Sequence, residues 1–236
     1  EGCVLAGVKD GFAAIVALKC ETDFVAKNAD FIALTQLILD TTLANKPANL
    51  DALNALAIEG RTIAELVTDR SGVTGEKMEI GYYEFVEGAT VVEYIHPGNK
   101  LATIVAFAEA GVDHQVARDV AMQAAAMKPI ALTRDEVPAE TVEKEKHFIT
   151  EEVKQTAEGK PEAVIEKMVV GKLEKFYKEV VLVEQAFIKE NKISIAQYVK
   201  DNNAEVVSMV RFAVGEGIEK RQENFADEVM SQINAA

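Results

Sequence analysis

The sequence contains no tryptophan, two cysteines, three histidines and five prolines in 236 residues. Two cysteines are too few to staple a chain of this size, which excludes a disulfide framework. Cys3 and Cys20 flank a turn at Lys9-Asp10-Gly11, and a pairing centred on Asp10 sets Cys3 opposite Ala17 rather than Cys20. Both are expected as reduced, half-buried thiols of a cytoplasmic protein. His96, His114 and His147 stand in separate segments with no cysteine or second histidine at ligand spacing, so no metal is expected. Positive charge is also scarce: 25 Lys and Arg against 39 Asp and Glu leave a net charge of −14 and a pI near 4.8. Binding nucleic acid through its phosphates needs a basic face; no run of Lys and Arg supplies one, and no direct nucleic-acid partner is expected. No apolar stretch approaches the roughly 18 residues of a membrane helix. The opening Glu1-Gly2-Cys3-Val4-Leu5 lacks the basic n-region of a signal peptide, so no membrane is expected either. It also lacks an initiator methionine, as in a fragment or a processed chain.

Catalytic signatures are missing as well. There is no Gly-x-Ser-x-Gly elbow and no His-Glu-x-x-His. Gly72-Val73-Thr74-Gly75-Glu76-Lys77 has glycines and a lysine at the wrong spacing for a phosphate loop, and Gly215-Glu216-Gly217 reads as a turn. Carboxylates are plentiful, but abundance does not make an acid–base pair. No catalytic residue, no cofactor and no enzyme activity are expected.

Apolar residues make up 49% and charged residues 27% of the chain, enough for one or two ordinary cores. Two segments resemble each other. The apolar stretch Cys3 to Val8, the Lys9-Asp10-Gly11 turn and Phe12 to Leu18 match Val91 to Ile95, the Pro97-Gly98-Asn99 turn and Leu101 to Phe107. Apolar, β-branched runs around a short glycine turn predict hairpins. Each is followed by a helix-period segment closing on Lys46-Pro47 or Lys128-Pro129, as proline follows many helix ends. Leu50 to Thr68 reads as a helix, Ser71 to Glu76 as a loop, and Ile80 to Val86 as a third strand. Glu205 to Val214 predicts a late strand beside the second hairpin, and Ile218 to Ile233 a final helix. Between Pro138 and Phe176 charge is dense and strand signal absent. Val142, Ile149, Val153 and Ala157 mark one stripe; Val164, Ile165, Met168 and Leu173 mark another after the Gly159-Lys160-Pro161 turn. Two such helices form an antiparallel helical hairpin, a coiled-coil arm.

The expected class is therefore α+β, with two related small subdomains, each an antiparallel sheet covered by helices. One spans residues 1–86; the other combines 87–136 with 180–214, the arm being inserted at 137–179 and a C-terminal helix module following at 215–236. The segment Cys20-Glu21-Thr22-Asp23-Phe24-Val25-Ala26-Lys27-Asn28 joins a strand to the predicted helix Val25 to Leu43. Thr22 or Asp23 suits the N-cap. Phe24 then either staples back onto the body or stands out as an aromatic wedge beside a carboxylate, and the residues alone leave both open.

That segment resembles the signature of the bacterial elongation factor Ts family, exchange factors for elongation factor Tu. Gly159-Lys160-Pro161, Ile165-Glu166-Lys167-Met168-Val169 and Gly171-Lys172 resemble the family's arm. Asn203-Ala204-Glu205-Val206, Arg211-Phe212 and Val214 to Lys220 are similar to its late strand and last helix. Relative to the family pattern, the chain starts after the small ubiquitin-associated-like domain and its linker. Ala186 stands where proline is common before Phe187, and Met127 where serine is common before Lys128-Pro129.

The resemblance implies that a corner formed by Thr22, Asp23, Phe24 and Val25 docks on elongation factor Tu, in its GDP-bound and nucleotide-free states. The Phe24 ring would wedge between helices and disturb the partner's Mg²⁺ site, releasing GDP so that GTP can rebind. Thr74 and Gly75 match a weaker contact loop, and His96 matches a histidine implicated at the interface. His96 could equally be a plain turn residue. A homodimer through the core or the arm stays open. Rival readings are an arm-bearing interaction scaffold without exchange activity, with Phe24 buried as a staple, and a small-molecule enzyme using an unrecognised carboxylate pair.

Overall fold

The computed structural model describes residues 1–216, so the helix expected over Ile218–Ile233 lies outside the described residues. Strands β1 (Gly2–Lys9) and β2 (Phe12–Lys19) form the first hairpin. Asp10 and Gly11 both have positive φ, 48° and 72°, the requirement of a two-residue turn that follows the strand twist. The turn is thus one residue shorter than expected and shifts the register: Lys9 pairs with Phe12, and Cys3 faces Leu18, not Ala17. The amide of Cys20 donates to the Glu1 carbonyl (3.0 Å), and both thiols are buried and free.

Helix α1 is a single turn, Asp23–Ala26, and α2 runs Ala29–Asn45. The one helix expected from Val25 is split because Asn28 takes extended backbone and caps α2, accepting from the amides of Asp30 (2.9 Å) and Phe31 (3.3 Å). The helix expected over Leu50–Thr68 is also broken. Helix α3 covers only Leu50–Asn54, followed by a small hairpin of β3 (Ala57–Ile58) and β4 (Arg61–Thr62). Glu59 (φ 50°) and Gly60 (φ 82°) form its turn. Thr62 and Glu65 then close a capping box that starts α4, Ile63–Thr74. Ser71 to Thr74, read as loop, are the last turn of this helix, which ends on Gly75 at φ 75°. Strand β5 (Glu79–Glu87) pairs antiparallel with β2, giving the sheet order β1-β2-β5.

The second unit repeats the pattern. Strands β6 (Thr90–Ile95) and β7 (Leu101–Phe107) lead to helix α5, His114–Met127. Helices α2 and α5 both end on a left-handed lysine, Lys46 (φ 47°) and Lys128 (φ 48°), followed by the prolines anticipated above. The arm consists of α6 (Ala139–Thr156) and α7 (Glu162–Val180). Ile149, Val153, Ala157 and Val169 are buried between its helices, against Ile165, Met168 and Leu173. Val142 leaves this seam and packs at the arm's root with Ala131, Val137 and Val181, while Val164 is exposed. Arg134 braces the root, donating to Glu174 (2.6 and 2.8 Å) and Glu184 (2.5 and 2.8 Å) and lying 4.4 Å from the Tyr177 ring centroid. Past the arm come an unanticipated short hairpin, β8 (Ala186–Phe187) with β9 (Glu190–Ser194), and helix α8 (Ile195–Asp201). Strand β10 (Val206–Ala213) completes the second sheet in the order β10-β7-β6, beside the second hairpin as expected.

The class is α+β, and the two sheets also stack on each other. Val4, Ala6, Ala13, Ile15, Ala17 and Val86 meet Ala102, Ile104 and Ala106 across the interface. The alternate residues of the first sheet, including Leu5, Phe12, Val16 and Leu18, face Phe31, Ile38 and Leu39 of α2. Val105 and Phe107 face Ala117, Val120, Ala121 and Ala124 of α5. The order of layers is helix, sheet, sheet, helix. Burial of β2 on both faces accounts for its unbroken apolar run.

Candidate partner-binding site

The corner after β2 is built from short-range geometry. Thr22 has extended backbone and caps α1, its hydroxyl oxygen accepting from the Val25 amide (3.4 Å). Successive side chains on a helical turn point about 100° apart. Ala26 is buried and Val25 packs against the core, so Phe24 is directed outward and is 83% exposed. Of the two poses left open by the sequence, this is the presented one; there is no staple. Asp23 accepts from Lys27 (2.8 Å). This lysine, at hydrogen-bond distance and adding its positive charge, holds the Asp23 carboxyl below the usual carboxylate range.

The end of α4 fixes the corner on both sides. Before it, Glu76 Oε2 accepts from the amides of Glu21 (2.9 Å) and Thr22 (3.1 Å), and Oε1 accepts from the Thr22 hydroxyl (2.5 Å). The Thr22 hydroxyl is the main reason that the Glu76 carboxyl is held low. In return, Glu21 Oε1 accepts from the Lys77 amide (2.9 Å). After the corner, Arg70 donates to Asn28 Oδ1 (3.0 Å) and Asp30 Oδ2 (3.3 Å). Thr74 donates to the carbonyl of Arg70 (3.2 Å) or Ser71 (3.3 Å) and accepts from the Glu76 amide (3.2 Å). Gly75 has open space where a Cβ would point.

The fold thus joins Thr22, Asp23, Phe24 and Val25 to Thr74 and Gly75 through Glu76. His96 is apart from them. It is exposed in the turn between β6 and β7, with Nδ1 at 3.0 Å from the Tyr94 hydroxyl. It lines a cavity of about 340 Å³ with Leu101, Met122, Ala125, Ala126 and Ile188. Among the described residues, no hydrogen bond or ion pair links His96 to the Thr22 corner. The same turn does reach the first sheet: Lys100 pairs with Glu1, and the Asn99 carbonyl accepts from the Val4 amide (2.7 Å).

The bracing roles of Glu21, Arg70 and Glu76 were not anticipated, because their contacts span 40 to 56 residues of sequence. Among the described residues there is no group of three or more His, Cys, Asp or Glu able to hold a metal. No described helix is long and apolar enough to cross a membrane.

Residues 21–216 match the family model described as Elongation factor TS. The Elongation factor Ts of Porphyromonas gingivalis is 52% identical over 217 residues, spanning 91% of this chain and 78% of that protein. That of Azobacteroides pseudotrichonymphae is 52% identical over 206 residues, spanning 87% of this chain and 74% of its own. The Burkholderia thailandensis protein of the same name is 43% identical along the whole of this chain and 79% of its own. The match begins at Glu21, whose amide Glu76 receives, and continues to the last described residue, and on that match the chain belongs to the elongation factor Ts family.

Proposed function

We propose that this chain is the cytoplasmic guanine-nucleotide exchange factor for elongation factor Tu, acting by differential binding without chemical catalysis. An exchange factor needs only to bind the nucleotide-free partner better than the nucleotide-bound one. Linkage then obliges it to weaken nucleotide binding by the same factor. A side chain that separates the ligands of the partner's Mg²⁺ meets this requirement, because loss of the metal weakens the hold on GDP phosphates.

The observation that carries the reading is Phe24, 83% exposed on a braced corner. Large aromatics of this kind supply most of the binding energy where they become buried in a partner. Asp23 is its polar neighbour, Thr22 and Val25 shape the corner, and Thr74 and Gly75 extend the contact. His96 offers a second contact on the other sheet. The same reading divides the chain into subdomains at 1–86 and at 87–136 with 180–214, with the arm inserted at 137–179.

The test is release of a fluorescent GDP from loaded elongation factor Tu. Phe24→Ala should slow stimulated release by about 10- to 100-fold, the effect of losing a hot-spot aromatic. Its stability should stay within about 0.5 kcal/mol of the parent, since the side chain is largely exposed. Undiminished release by the variant would overturn the proposal.

A further inference from the structure

We propose that Glu76 is a positioning residue for exchange, holding the Thr22–Val25 corner in the one pose that presents Phe24. This rests on the exchange reading and adds a role for a residue that need not touch the partner. A four-residue helix such as α1 is far too short to hold its own shape in water. The Lys27–Asp23 pair is exposed on both sides (71% and 46%), and such pairs add little. The inward anchors Val25 and Ala26 fix only one side of the turn. The approach to the corner, Glu21 and Thr22, is exposed, and three donors there converge on the Glu76 carboxylate, at 2.9, 3.1 and 2.5 Å.

Hydrogen bonds to a carboxylate are short and strong compared with neutral ones. The Glu21–Lys77 bond makes the latch reciprocal. Without it, the corner would sample poses in which the ring points elsewhere. The apparent affinity then falls in proportion to the docking-competent fraction, because ordering the corner is left to the binding step.

The expected effects in the full chain are specific. Glu76→Ala should weaken binding to nucleotide-free elongation factor Tu by about tenfold, as for a competent fraction near one-tenth. It should speed hydrogen exchange at the Glu21 and Thr22 amides, with the melting temperature nearly unchanged. Glu76→Gln should recover most of the affinity: its carbonyl can accept from the two amides, and its amide can donate to the Thr22 hydroxyl oxygen. Combined with Phe24→Ala, Glu76→Ala should have little further effect, since a positioning residue acts through what it positions.

Three results would overturn the role: unchanged affinity in Glu76→Ala, no recovery in Glu76→Gln, or equal losses from Glu76→Ala with and without Phe24. In all three, loss of exchange in Phe24→Ala alone would leave the exchange reading standing. Undiminished exchange in Phe24→Ala would instead remove that reading itself.

Discussion

Burying an aspartate costs its lost hydration unless donors replace the water, and at Asp119 three of them do. The side chain is 5% exposed, with Lys189 Nζ at 2.6 Å, the Tyr198 hydroxyl at 2.7 Å and Gln115 Nε2 at 2.8 Å. Burial pushes its carboxyl up; the lysine, the tyrosine and the glutamine outweigh burial and leave it below the ordinary value. A carboxyl lowered by folding stabilises fully above its unfolded value, about 4, and loses that contribution as pH falls through the lower folded value. Asp119→Asn should therefore cost about 1–3 kcal/mol in urea unfolding at pH 7, with a gap to the parent that narrows below about pH 4. Such networks are silent in sequence, since Asp119 meets Lys189 and Tyr198 only through the fold. The corner was half legible. The Thr22 cap follows from residue type, but the outward pose of Phe24 depends on Val25 and Ala26 facing the core, and Glu76 arrives from 54 residues away.

Among the elements, the repeated hairpin-and-helix unit was readable because its signals are local: a glycine turn between apolar runs, then Lys-Pro after a helix. Both lysines adopt the left-handed backbone that ends the helix. The Leu50–Thr68 stretch shows how such reading fails. Its apolar spacing suits one helix, yet Glu59-Gly60 turns the chain and Thr62 with Glu65 restarts it. The Thr-x-x-Glu pattern was present, and helical periodicity overrode it. Thr62→Ala should cost about 1 kcal/mol, seen as faster hydrogen exchange at Glu65 and the first turn of α4. In the arm, the turn and most of the seam were legible. Val142 was misplaced because periodicity does not reveal where one helix passes from its partner to the body.

At the scale of the whole molecule, the sequence indicated two sheets but not that they stack. The clue was Phe12 to Leu18, seven residues with no polar alternation, which fits a strand covered on both faces. Alanines at 6, 13, 17, 102 and 106 allow close approach, and the Tyr82 and Phe212 rings stack across the two sheets at 4.0 Å. Ala13→Leu should overfill this interface and cost about 1–3 kcal/mol, measurable as a lower midpoint in denaturant. Under the exchange role proposed above, the open ring at residue 24 has a consequence for turnover. Being 83% exposed, it would give up little packing at home on docking and would need no refolding to withdraw. In that role, departure would return the chain to its starting shape, ready for the next encounter, so that one copy would serve many clients in succession.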